Sequence, residues 1–269
     1  MTLNVGDEFA VVLVAKIAAL GVLVSSLEYL ARQRELGNGG LMSWSVGSLR
    51  NRWLAGGVIG RSLHVVLRYP NVLGLLAARA VMAGAVLLAP PQVSTAPALV
   101  IPLAVVTLVF LLRSHYGLDG SDQMLWLIFA GLALVSLADT PAVRTAYLWF
   151  VALQCCLSYF VAGVAKASAQ GWRAGSYLAG IFQTRIYGHA GLSALLQDHR
   201  QLATILARLV ITWECVFPVV LVAPVPIVLI FIVGGAAFHV VNAYIMGLNI
   251  FVWAFLAAYP AILFCASAW

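Results

Sequence analysis

Charge is scarce in this sequence. Charged residues occupy 9% of its 269 positions, against about 25% in a soluble domain. A water-soluble globule cannot be covered with so little, so that class is excluded. Lysine is scarcer still: Lys16 and Lys166 are the only two, and the other basic residues are arginines. Short alternating strands are missing, which excludes an outer-membrane barrel. No basic stretch precedes the first apolar run, where Asp7 and Glu8 sit instead, so a cleavable signal peptide is not expected. The 4 cysteines lack metal-ligand spacing. Cys155, Cys156, Cys215 and Cys265 lie in apolar runs and read as buried thiols, with a redox role for the vicinal pair as the alternative. No metal is expected. With no repeat, low-complexity tract or soluble segment, one integral membrane domain over residues 1–269 is the expectation.

Apolar residues are abundant, at 63%, with a mean hydropathy of +1.01. A bilayer core needs about 20 apolar residues per helix. Candidate spans cover residues 9–30, 71–90, 97–113, 123–138, 145–166, 203–222, 226–244 and 248–267. The fold class is therefore all-α: a polytopic transmembrane helical bundle of about eight spanning helices, with seven to nine as the range. Proline and glycine breakers such as "APPQVSTAP" separate several of the runs. The stretch from Trp44 to Tyr69 reads either as an interfacial amphipathic helix or as a ninth span. A second interfacial piece is expected between Trp172 and Leu196. Arginines concentrate on alternate loops: Arg32, Arg34, Arg50, Arg52, Arg61 and Arg68, then Arg113, then Arg173, Arg185 and Arg200. The opposite loops hold Arg144 alone. The positive-inside rule places the basic loops in the cytoplasm and both termini outside. The net charge of +6 thus reports membrane orientation and does not imply nucleic acid. An arginine-, alanine- and valine-rich composition suggests a bacterial plasma (inner) membrane.

An ionisable group within a bilayer costs at least about 2.5 kcal/mol, so each needs a partner or a task. Those here are Lys16, Glu28, Arg79, Lys166, Arg208, Glu214 and His239. Lys166, in "YFVAGVAKASAQGWRAGSYL", reads as a snorkelling lysine or as one that burial renders neutral, so that its amine serves as a base. Glu214, in "WECVFP", reads as half of a buried ion pair, with Lys16 or Arg79 as partner. Asp119 and Asp122, in "RSHYGLDGSDQM", form a polar turn with a helix N-cap, near Arg113 and His115. His239 and Asn242 share a helix face. Lys166, the Asp119 loop, His239 and Asn242 all map to one membrane face, so a shared cavity opening there is expected.

These stretches carry a resemblance. "YFVAGVAKASAQGWRAGSYL" resembles the vitamin K-dependent γ-carboxylase and its bacterial relatives, the horizontally transferred transmembrane (HTTM) family, in which a Tyr-Phe-x-Ala-Gly-x-x-Lys run precedes a tryptophan and a glycine. "FHVVNAYIMGLNIFVWAF" resembles a later family helix, "WECVFP" the helix between them, and "GLDGSDQM" the bacterial members. The resemblance spans roughly residues 70–269. It implies that the catalytic lysine is Lys166, with Asp119, Asp122 and His239 as supporting polar groups. It further implies a vitamin K-type quinone or hydroquinone near Trp172, Asn242 and Gln123. Asp122 and Gln123 stand where the carboxylase has a catalytic histidine. In that family a neutral lysine deprotonates the reduced vitamin, oxygen turns the weak base into a strong one, and a peptide glutamate is deprotonated and carboxylated, a lyase-type reaction. No counterpart of the carboxylase's lumenal domain is expected after Trp269, and the sequence resembles the short branch that matures a sporulation-delaying toxin.

The expected function is accordingly a membrane enzyme or enzyme subunit that modifies or matures a peptide, with the lipid bilayer, a peptide substrate and an accessory protein as partners. The rival is a non-catalytic transporter, immunity or assembly protein, in which Lys16, Arg79 and Glu214 serve an ion path.

Overall fold

The structure is a computed structural model that describes residues 6–50, 57–113 and 120–267. Asp119, His115 and Arg52 lie outside the described residues. Those described form helices and turns, with no strand among them. Seven helices are long and apolar enough to cross a membrane. Contacts divide the chain into two compact units, Gly6–Tyr147 and Leu148–Trp269.

The first unit holds α1 (Asp7–Ala31), α2 (Trp44–Arg50), α3 (Gly57–Leu67), α4 (Asn71–Leu88), α5 (Pro91–Ser94), α6 (Pro97–Arg113), α7 (Gly120–Leu137) and the start of α8 (Pro141–Ser168). Helix α1 buries Ala10, Val14, Ala15, Ala18, Ala19 and Val22. These small residues recur every three or four positions, so neighbouring backbones approach closely. Among the described residues of the stretch from Trp44 to Tyr69, α2 has 7 and α3 has 11, and at 1.5 Å per residue neither helix by itself crosses a core of about 30 Å. Trp44 donates from Nε1 to His64 Nδ1 at 3.1 Å, tying α2 to α3.

Cations in this unit close helix ends and helix contacts. Lys16 donates to the carbonyls of Leu87 and Ala89 at 3.0 and 2.8 Å, satisfying the C-terminal carbonyls of α4, which have no partner within their own helix. Arg113 does the same for Leu67 and Leu36, at 3.0 and 3.1 Å. Arg79, only 2% exposed, reaches Thr107 and Ser25 at 3.4 and 3.3 Å and lies over the Phe110 ring. Arg144 binds Asp7, Glu8 and Asp139 at 2.8, 3.3 and 2.6 Å. Lys16 and Arg79, the expected partners of Glu214, are thus engaged elsewhere.

The second unit continues α8 and adds α9 (Gln170–Arg173), α10 (Ser176–Ile181), α11 (Ala190–Asp198), α12 (Arg200–Val216), a 3-10 turn at Phe217–Leu221, α13 (Val225–Met246) and α14 (Asn249–Ala266). The stretch from Trp172 to Leu196 contributes to three short helices of 4, 6 and 9 residues, none long enough to span. Gly247, with φ +73°, ends α13 in the left-handed conformation that glycine tolerates and turns the chain into α14.

Candidate functional site

Residues four and seven apart share a helix face. On α8 this sets Tyr159, Gly163 and Lys166 in one row. Gly163 permits the contact that matters. A Cβ there would lie 2.7 Å from the Cys215 backbone nitrogen and 2.9 Å from Glu214 Cβ, so only a residue without one lets α12 approach this closely. The approach places Glu214 against Lys166, whose Nζ donates to both carboxylate oxygens at 2.8 and 2.7 Å. The lysine side chain is 21% exposed and the glutamate 6%. Glu214 is therefore half of an ion pair, as expected, but its partner is the candidate base.

Short segments after α8 enclose the lysine. Trp172 turns its ring toward Lys166 Nζ, 5.4 Å from the centroid, within cation–π range. Arg173 donates to the Ala167 carbonyl at 2.6 Å, Arg208 to the Arg173 carbonyl at 3.3 Å and Thr204 to the Ala174 carbonyl at 2.9 Å. These bonds latch α9 onto the end of α8 and the side of α12. Arg208 thus has a backbone partner.

Two turns up α8, about 10 Å along the axis, the Tyr159 hydroxyl lies 2.7 Å from His239 Nε2 and 3.1 Å from the Tyr259 hydroxyl. Gly235, one turn before His239, makes room for both: a Cβ would fall 2.4 Å from the Tyr259 oxygen and 3.0 Å from that of Tyr159. Phe217 stacks on Tyr159 at 3.8 Å and Phe255 on His239 at 4.2 Å. His239 is 4% exposed, and its Nδ1 has no hydrogen-bond partner among the described residues. The two clusters lie two turns apart on one face of α8 and form a polar seam through an apolar unit.

Lys166 and Trp172 are thus brought together, and His239 is held two turns away with two tyrosines. Asn242 is half-buried, one turn beyond His239. Asp122 and Gln123 belong to the first unit, in the opening turns of α7. Asp119 lies outside the described residues. Sequence reasoning missed Tyr159, Gly163 and Tyr259, and gave Glu214 the wrong partner. The spacing of Tyr159, Gly163 and Lys166 was the available signal for the first two. Three grooves surround α11. An apolar one of about 560 Å³ runs between His189, Leu192, Leu195, Val240 and Tyr244, and more polar ones of about 740 and 610 Å³ adjoin it. Lys166 lines none of the three.

A lysine held by a carboxylate can pass its proton to that carboxylate and recover it. Acid–base chemistry at such a pair is strengthened where water is kept out.

The model of one protein family, described as HTTM domain, matches residues 135–269. That range contains the Lys166, Glu214 and His239 stretches and leaves out "GLDGSDQM". Comparison with curated proteins and with solved structures gave no significant match.

Proposed function

We propose a function from one premise: this chain belongs to the HTTM domain family. It is a membrane enzyme, or the membrane subunit of one, that modifies or matures a peptide, and Lys166 is its base. The Lys166–Glu214 contact on the matched segment supports this reading most directly. An amine needed only to anchor a helix end would reach lipid headgroups, whereas this one is turned inward to a buried acid. The rival ion path loses two of its members, because Lys16 is held by backbone carbonyls and Arg79 by hydroxyls.

The family's chemistry implies a reduced quinone, which would supply an acidic hydroxyl beside the amine. The residues present fit such a group in two respects. Trp213, next to Glu214 in the chain, has a buried Nε1 donor without a partner among the described residues, and a quinone oxygen is an acceptor. Trp172 offers a ring face at Lys166. Lys166 would take the proton, Glu214 would hold the amine in place, and the apolar packing of Tyr159, Phe217 and Phe255 would keep water away. The arginine-rich loops face the cytoplasm of a bacterial cell in this reading, and an accessory protein presents the peptide.

Lys166→Ala and Lys166→Arg test it. Arginine keeps a cation for Glu214 but does not deprotonate in proteins. Secreted peptides from the host are compared by mass spectrometry, with membrane insertion checked in parallel. The peptide product is expected to fall by about 10²–10⁴-fold with either variant. A wild-type peptide profile with the arginine variant would refute the base role.

A further inference from the structure

We infer that Glu214 is where the abstracted proton comes to rest, with Lys166 as the amine that carries it there. This rests on the reading of Lys166 as the base. The argument is a count of protons. Lys166 and Glu214, joined at 2.8 and 2.7 Å, share one transferable proton. It sits on Nζ in the ion pair or on a carboxylate oxygen in the neutral pair, and moving it between them leaves the pair uncharged. As an ammonium, Lys166 has no lone pair and takes nothing. It acts only after an Nζ–H bond breaks and an Oε–H bond forms on Glu214. The freed lone pair then takes the proton of a weakly acidic hydroxyl on the substrate. The pair ends as an ammonium beside a neutral carboxylic acid, one positive charge richer, and the substrate is left as an anion. Compared with the ion pair at the start, the group that has gained a proton is Glu214.

The surroundings suit such an exchange. Desolvation offsets much of the attraction within a buried ion pair, so ionic and neutral forms lie closer in energy than in water. Glu214 faces Lys166 from α8; two turns away the Tyr159 hydroxyl is held by His239 of α13 and Tyr259 of α14. On its own helix Cys215 adjoins it, and Arg208, six residues earlier, is bound to the Arg173 carbonyl. Among these, Lys166 is the group that exchanges a proton with Glu214 directly.

The scarcity of lysine supplies the test. An amine-reactive ester acylates neutral amines and spares ammonium, and this chain presents two lysines to it. The full-length protein in detergent is treated across a pH series, and acylation of each lysine is followed by mass spectrometry. In Glu214→Gln the side chain still accepts a hydrogen bond but no longer balances a charge. Lys166 is then expected to react at least ~10-fold faster at neutral pH, the equivalent of one pKa unit, with its profile moved to lower pH. Lys16, held by the Leu87 and Ala89 carbonyls, serves as the unchanged reference. The same variant is expected to lose most of the peptide product despite its more reactive amine, because the ammonium formed in each turnover then has no carboxylate to hand its proton to, and Glu214→Asp to restore slow acylation and part of the product. An unchanged Lys166 profile in the glutamine variant overturns the inference. So does full product from that variant, which leaves the base role of Lys166 standing. Should Glu214→Gln fail to insert, Glu214→Asp decides: fast acylation with no product contradicts a carboxylate that governs the amine. Loss of the base role itself would show separately, as full product from Lys166→Arg.

Discussion

The two units handle buried charge differently. In Gly6–Tyr147, Lys16 and Arg113 end on backbone carbonyls, and Arg79 ends on hydroxyls and an aromatic face. Arg144 ends on carboxylates, but as an arginine it stays charged. In Leu148–Trp269 the lysine ends on a single buried carboxylate. The cations of the first unit are mostly arginine, which stays charged; the seam of the second uses lysine, histidine, tyrosine and glutamate, which exchange protons. Burying a charge is costly in either place. One arrangement holds helices together with cations that stay charged; the other is the pair on which the proposed proton transfer rests. The family match covers residues 135–269, the region with the exchangeable set.

If that contrast is real, substitutions in the two regions separate stability from chemistry. The largest effect, after loss of Lys166 itself, is expected from Arg79→Met. It removes the buried partner of the Thr107 and Ser25 hydroxyls, at a cost of about 3 kcal/mol for the polar groups left unsatisfied. The thermal midpoint in detergent should fall, while product formed per folded molecule stays the same. A variant of unchanged stability that lost product would break the comparison, because Arg79 would then belong to the chemistry. Gly163→Ala comes next. The added Cβ would sit 2.7 Å from the Cys215 nitrogen, so α8 and α12 must part, at about 1–3 kcal/mol for overpacking. The Lys166–Glu214 contact should loosen, and acylation of Lys166 should quicken relative to Lys16. An unaltered ratio would show that helix separation does not set that contact. Tyr159→Phe is the mildest. It leaves His239 Nε2 without its 2.7 Å partner, a loss of about 1–2 kcal/mol, read as a lower midpoint. Its acylation profile at Lys166 shows whether the two clusters are coupled or merely adjacent.

Much of the fold was legible because lipid leaves few choices. Each of the eight apolar runs became a helix, and residues 97–113 form one of 17 residues, just under spanning length by the criterion that the other seven meet. Trp44–Tyr69 was ambiguous in composition, since arginines alternating with apolar residues suit an interfacial helix and a kinked span alike; its described residues form two short helices. Lys166 and Trp172 were legible as neighbours because six residues around a helix end keep them local. The partner of Glu214 was not. It lies 48 residues from Lys166, and nothing in one sequence ranks Lys166 above Lys16 or Arg79 as its cation. Tyr159 and Tyr259, 100 residues apart, looked like ordinary aromatic core positions.

Composition alone settled that this is a helical membrane protein, because too little charge and too many long apolar runs leave no other way to satisfy its backbone. It also singled out a lysine that needed a reason. Only the tertiary structure decided what that lysine touches. Which helices meet, and at what height, depends on where a missing Cβ lets two backbones close up, and that is a property of pairs of distant segments that no single stretch of sequence carries.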